Sequence, residues 1–435
     1  KLRDALAEDG RFQVWMKTLS SRVAECNSTT LARLADGLVR LRVKSPETQE
    51  VLQELAEVTV QRHNCIKPQD LSILAQAFAS WRHGESGPKV AQFLRAEAMR
   101  QMQDFKWNSC VRFLEAFRRW GIVDHELTAM TLERLQDIFP NATNRDVTML
   151  LETLSKLGIA KLELLQKLCQ LTFGSLWLFT PQQLVSISSS LAKLRFLTQR
   201  DVEELLRALT PQLGRLSTAE LARLLFAIAI SPRGETRAFP LEVLAAQYVA
   251  GEACSMEDDI DVVWALLVLE LDGYVPALIA RLKESTESDG FVHLSRTRFV
   301  KLNDVLLYLS HLGDKTTWPT ALCQAAKEAA AVEARHLATS SVRQQVVLCC
   351  EGLYPGDVSS QKAGAFHVDF LDPRSKVVVD VDTISWPITR ELRHRILRSE
   401  NYTTVLVPYW EVKRMRSEED LQSFILLKSG ALTAS

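Results

Sequence analysis

The sequence predicts a mainly α chain: an α-solenoid of helical hairpin repeats about 37–41 residues long, followed by a small C-terminal α/β domain. Three observations predict it. An apolar signature recurs at near-constant spacing. A second helical stretch follows the signature in most repeats. Close to residue 354 the hydrophobic period changes from helical to strand-like.

The signature places apolar residues at offsets 0, 3, 7 and 10, which fall on one stripe of an α-helix. It reads Leu31, Leu34, Leu38, Leu41, then Leu71, Leu74, Phe78, Trp81, then Cys110, Phe113, Phe117, Trp120. Further copies start at Val147, Leu184 and Leu221, a weak one at Val262 and a clear one at Leu302. The starts lie 40, 39, 37, 37, 37, 41 and 40 residues apart, too regular for a bundle whose spacing is coincidental. The partner helices are predicted over Glu47–Gln61, His125–Ile138, Lys161–Thr172 and Gln199–Leu209. Gly121, Gly158 and Gly313 act as stop signals, and Thr180-Pro181 and Ser217 with Glu220 as start signals. One hairpin cannot bury its apolar face alone, whereas stacked hairpins can. The expected organisation is a helical segment at 1–24, an array at 25–353, a linker at 354–365 and an α/β domain at 366–430. Ser231–Pro240 and Ser285–Arg298 interrupt the pattern and read as surface loops.

Composition bounds the function. Hydrophobic residues make up 47% and charged residues 24%, as in ordinary globular proteins. The net charge of -1 excludes a global basic field, so any nucleic-acid contact must come from a local patch. Eight cysteines are scattered without a CxxC pair or a histidine cluster at metal-ligand spacing, which points to a reducing compartment and to no bound metal or cofactor. No apolar run reaches membrane-span length. The chain opens at Lys1 rather than Met, so the true N-terminus is expected to have been cleaved or left out, and no targeting peptide is visible.

Offsets 2 and 9 of the signature helix lie off the buried stripe and point the same way. Offset 9 holds Arg40, Ser80, Arg119, Lys156, Lys193 and later His311. Offset 2 holds Arg33, Arg112 and Arg223, with Asp304 against the trend. A cation on an outward face is ordinarily just solvated. In a solenoid, however, equivalent positions align into a column, and this one would be basic and suited to a phosphate backbone. A concave array face binds peptides equally well, so a protein ligand stays open. Trp81 and Trp120, at offset 10, read as core.

Past the array, Phe366–Leu371 and Lys376–Val381 read as strands, Thr389–Ser399 as a helix, Thr403–Pro408 as a buried strand and Ser417–Leu427 as a final helix. His367–Phe370 (HVDF), Val377–Asp382 (VVVDVD), Thr389–Leu397 (TRELRHRIL) and above all Val405–Glu411 (VLVPYWE) resemble the RAP domain, over about one seventh of the chain. The resemblance implies a fold related to restriction-endonuclease-like nucleases, behind degenerate helical repeats. It also implies an RNA-associated organellar protein, in the mitochondrial matrix rather than a plastid. RNA, rRNA first, and ribosomal or other organellar proteins are the expected partners, with no membrane or small-molecule substrate. The leading expectation is a structural component of the mitochondrial ribosome; the alternatives are a transcript maturation or stability factor and a metal-dependent endonuclease.

That chemistry needs clustered carboxylates and a lysine. Asp369, Asp380 and Asp382 supply acids, but Asp382 stands where the nuclease pattern has lysine, so no enzyme is expected. Arg390, His394 and Arg398 fall on one face of the predicted helix, with Arg393 beside them, and read as a phosphate site. Trp386, Tyr409 and Trp410 are candidates for base stacking, with core packing the stronger reading for Trp410.

Overall fold

A computed structural model describes the chain except residues 1, 44, 63–65, 82–86, 123, 140–141, 232–240, 253, 289–290, 292–293, 314–317, 338–340, 355–361, 364–365, 383–390, 409–410, 413–414, 416 and 431–435. It divides into two compact units, Lys1–Gly174 and Ser175–Ser435.

The first unit contains α1 (Leu2–Glu8), α2 (Gly10–Arg22), α3 (Ser28–Leu41), α4 (Pro46–Gln61), α5 (Pro68–Trp81), α6 (Gly87–Arg100), α7 (Trp107–Trp120), α8 (His125–Asp137), α9 (Asn144–Leu157) and α10 (Leu162–Phe173). Signature helices stack in one layer, α3 on α5, α5 on α7 and α7 on α9, while α2, α4, α6 and α8 stack in turn as the second. This is solenoid packing: each helix touches the equivalent helix of the next repeat.

Local chemistry sets the boundaries. Gly121 (φ 71°) and Gly158 (φ 67°) take the left-handed conformation after α7 and α9. There the Ile122 and Ile159 amides bond back to the Phe117 and Leu154 carbonyls, closing helix ends that would otherwise leave acceptors open. Thr143 with Asp146 forms a capping box at the start of α9.

The buried face is wider than the four-position stripe. The first signature position is at most 2% exposed in every copy, from Leu31 to Leu302. Ala32, Ala35, Ala75, Val111, Leu114 and Leu151 are buried as well, because each signature helix has a neighbour on either side and the second layer behind it. Offset 10 varies: Leu194 and Ser231 are buried. Leu41, by contrast, is 42% and Leu312 57% exposed, and Trp81 and Trp120 are half-buried. These residues sit in or just beyond the last helical turn, where neighbouring helices no longer cover them.

The second unit continues the pattern with α11 (Pro181–Lys193), α12 (Gln199–Leu209), α13 (Thr218–Ala229), α14 (Leu241–Ala250), α15 (Met256–Val268), α16 (Val275–Ser288), α17 (Arg296–His311), α18 (Thr320–Leu337) and α19 (Ser341–Leu353). Here α11, α13, α15 and α17 stack in order. Of the interruptions read as loops, 232–240 lies outside the described residues, while Ser285–Ser288 and Arg296–Arg298 belong to α16 and α17.

The C-terminal sheet is small. Lys362–Ala363 (β1), within the stretch read as linker, pairs antiparallel with Phe366–His367 (β2). A second sheet has the order β3 (Phe370–Asp372), β4 (Val377–Asp382), β5 (Thr403–Pro408), antiparallel then parallel, with Val379 opposite Phe370 and Val405. α20 (Glu391–Ser399) joins β4 to β5, as a parallel pair requires, and α21 (Glu418–Lys428) ends the described fold. Val346, Cys349 and Cys350 of α19 share one core with Phe370, Val379, Val381, Val405, Val407, Leu421 and Ile425. The last helix before the strands thus packs with the sheet.

Candidate nucleic-acid interface

The C-terminal ends of α3, α5, α7 and α9 meet at a groove of about 700 Å³ in the first unit. Arg40, Ser80, Arg119 and Lys156, the offset-9 residues of four successive repeats, all line it. Arg42, Arg118, Asp36, Glu115, Gln49, Gln76 and Trp81 line it too. Five cations therefore face two carboxylates.

Internal bonds hold several of these groups. Glu115 accepts from Arg118 Nε at 2.7 Å and Arg119 Nε at 3.0 Å. Arg119 Nη1 reaches across one repeat to donate to Ser80 Oγ at 2.8 Å. Arg40 pairs with Asp36 at 2.9 Å along α3. Burial pushes the Glu115 carboxyl up, but hydrogen bonds from Arg118 and Arg119 and the charges of Arg118 and Lys156 outweigh it and leave it below the ordinary value. Glu115 is thus an anion at neutral pH and fixes the two guanidiniums in place.

The offset-9 cations also have a local cause. Arg40, Arg119, Lys156 and Lys193 stand in the last turns of their helices, where a positive charge offsets the negative end of the helix dipole by about 0.3–1 kcal/mol. That term applies equally to Arg118, which shares the last turn of α7, and to Arg42, which caps the end of α3. It does not account for cations from three helices meeting in one groove.

Of the other array candidates, Arg33 is exposed and Arg112 half-buried, and neither lines the groove. Lys193 and Arg223 are exposed on α11 and α13 of the second unit. Arg42, Arg118 and Glu115 lie off offsets 2 and 9 and carry no periodic signal in the sequence, and Trp81, on the apolar stripe, lines the groove instead of the core.

On α20 the basic residues turn to partners within the second unit. His394 is 1% exposed, and its Nε2 lies 2.9 Å from Asp380 Oδ2. Arg393 Nε donates to Asp304 at 2.9 Å, which explains the acid that broke the offset-2 trend. Arg395 donates to the Leu267 carbonyl at 2.8 Å and the Val268 carbonyl at 3.1 Å, at the end of α15. Trp264, at offset 2 of α15, is fully buried. So α20 packs on α15 and α17, and the outward face expected of Arg393 and His394 is instead an interior contact. Arg398 is exposed and donates to Thr404. Arg390, Trp386, Tyr409 and Trp410 lie outside the described residues.

The acids weighed as metal ligands are engaged as well. Asp369 accepts from Arg343 Nε and from the Val381 amide, both at 2.7 Å. Asp380, 0% exposed, accepts from the Asp369 amide at 3.0 Å and faces His394. The side chain of Asp382 lies outside the described residues. Breaking a buried charge pair costs about 3–5 kcal/mol, so this network fits a structural role joining β3, β4, α19 and α20.

Residues 383–428, spanning α20, β5 and α21, match the RAP domain family. The chain carries a RAP domain. A second match, over 84–232, is to the family described as RNA-editing substrate-binding complex 6 protein. No curated protein matches the chain. Arg390, Arg393, His394, Arg398, Trp386 and Tyr409 fall within the RAP match, whereas Asp369, Asp380 and Asp382 precede it. The helical match takes in Arg112, Arg119, Lys156, Lys193 and Arg223, five of the seven array candidates.

Proposed function

We propose that this chain is a non-catalytic RNA-binding component of a mitochondrial RNA-processing assembly, and that RNA lies in the groove of the first unit. The observation that carries the reading is the convergence of Arg40, Arg119 and Lys156, from three repeats, on one groove with Arg42 and Arg118. Phosphate contacts from arginine and lysine supply most sequence-independent RNA affinity. The RAP domain and the match to an RNA-editing complex family support an RNA partner, and the second also supports a mitochondrial location. The enzyme reading has less support, because Asp369 and Asp380 are already bonded to Arg343, to backbone amides and to His394. Among the described residues no helix is long and apolar enough to cross a membrane.

A structural role in the mitochondrial ribosome is the second reading. It draws on the net charge of -1, which suits a protein seated between rRNA and other proteins better than one coating naked RNA. The match over 84–232 favours the processing assembly.

Salt dependence tests the groove. Each phosphate contact removed by Arg40→Ala, Arg119→Ala or Lys156→Ala should flatten the log–log salt slope of RNA binding by about 0.7. Variants that lower the melting temperature and leave the slope unchanged would mean that these cations serve only the helix dipoles. Crosslinking in cells with sequencing of the attached RNA separates the assemblies: messenger or precursor transcripts for processing, fixed rRNA positions for the ribosome.

A further inference from the structure

The groove holds an aromatic wall that phosphate binding does not use. Trp81 ends α5 and sits on the signature stripe, yet it stays half-exposed where neighbouring repeats stop covering it. Its ring packs tilted on Phe78, with centroids 6.3 Å apart and planes at 53°, and it lines the groove beside the cations. One of those cations is fixed there: Arg119 donates to Ser80, the residue before Trp81, and is held on its other side by Glu115. A guanidinium held in place loses less freedom on meeting a phosphate. Gln49 and Gln76 add amide donors and acceptors to the same groove. A fixed cation, a part-exposed indole and side-chain amides together match the three parts of a nucleotide: phosphate, base face and base edge.

We propose that Trp81 forms a nucleobase subsite, so that the groove takes an unstacked nucleotide of single-stranded RNA. This rests on the reading of the groove as an RNA interface. A duplex presents phosphates and groove edges but keeps its base faces inside the stack, so it satisfies the cations and leaves the indole unused. Stacking on an aromatic side chain contributes to single-strand affinity and tolerates any base, because every base has a π face.

The test uses the full chain with Trp81→Leu and Trp81→Phe, a uridine single strand, an abasic ribose-phosphate strand of equal length and a duplex. Trp81→Leu should weaken uridine-strand binding roughly 5- to 150-fold, the range that stacking energies convert to. It should leave abasic-strand and duplex binding unchanged, and Trp81→Phe should retain most of the affinity. The salt slope should not move, because a stacked base releases no counterion. Equal losses for uridine and abasic strands would overturn the subsite and make Trp81 a structural residue; so would no loss at all, or a duplex bound as tightly as the single strand. Failure of the parent reading looks different: Arg119→Ala and Lys156→Ala would then change neither affinity nor slope for any strand.

Discussion

Glu115 shows what one residue decides in the groove. Without it, Arg118 and Arg119 have no shared acceptor, and the groove gains positive charge. Glu115→Gln should lower stability by about 1 kcal/mol, less than a fully buried charged bond because both arginines are about a third exposed. It should at the same time tighten RNA binding. The pH sign follows from the lowered carboxyl value. A depressed acid contributes stability at pH above its unfolded value of about 4.3 and loses it as pH falls through the lower folded value. Urea midpoints of the native chain and Glu115→Gln should therefore differ steadily near neutrality and converge only in acid below the ordinary glutamate range. A gap that persists at the lowest pH would show that packing, not charge, holds the pair.

At the level of the element, α20 is the clearest case of sequence character meeting a tertiary use. Its basic residues read as a phosphate-binding face, since Arg390, His394 and Arg398 fall on one side of the predicted helix with Arg393 beside them. The fold uses Arg393 and Arg395 as ties to α17 and α15. Arg395 caps the last carbonyls of α15, where the helix dipole favours a cation, and its guanidinium also lies 5.8 Å from the Tyr308 ring centre. Arg395→Ala should free α20 locally, at a cost of about 1–2 kcal/mol. Amide exchange in α20 should then quicken roughly five- to thirtyfold, with little change in α11 or α13. Arg395→Lys should restore only part of the protection, because an ammonium lacks the planar fork that spans two carbonyls.

At the level of the whole chain, the shared core of α19 and the sheet bears on where the array ends. The expected boundary fell at residue 353, after α19. Val346, Cys349 and Cys350 nevertheless pack into the sheet, and burial pushes the Cys350 thiol up to about 12, so it remains a neutral apolar group. A chain cut after Leu353 would leave that face of α19 in water. It should melt below the full chain and associate in size-exclusion chromatography. A monodisperse fragment with an unchanged midpoint would restore the boundary at 353.

The helical hairpins, their period and most of their ends are legible in the amino-acid sequence. Such features are written locally: Leu31 and Leu71 on a 3.6-residue stripe, Gly121 where a left-handed residue is needed, Ser217 and Glu220 forming a capping box. The β4–α20–β5 order was legible for the same reason. Part of the candidate site was legible too, since Arg40, Arg119 and Lys156 share an offset. Which charges face an open groove and which are spent on the protein itself was decided only by the tertiary structure. Arg119 and Arg393 look alike in sequence, because charge and periodicity are local properties. The partners that set them apart are distant: Ser80 lies 39 residues from Arg119, and Asp304 lies 89 residues from Arg393. Folding alone brings such groups within hydrogen-bonding distance.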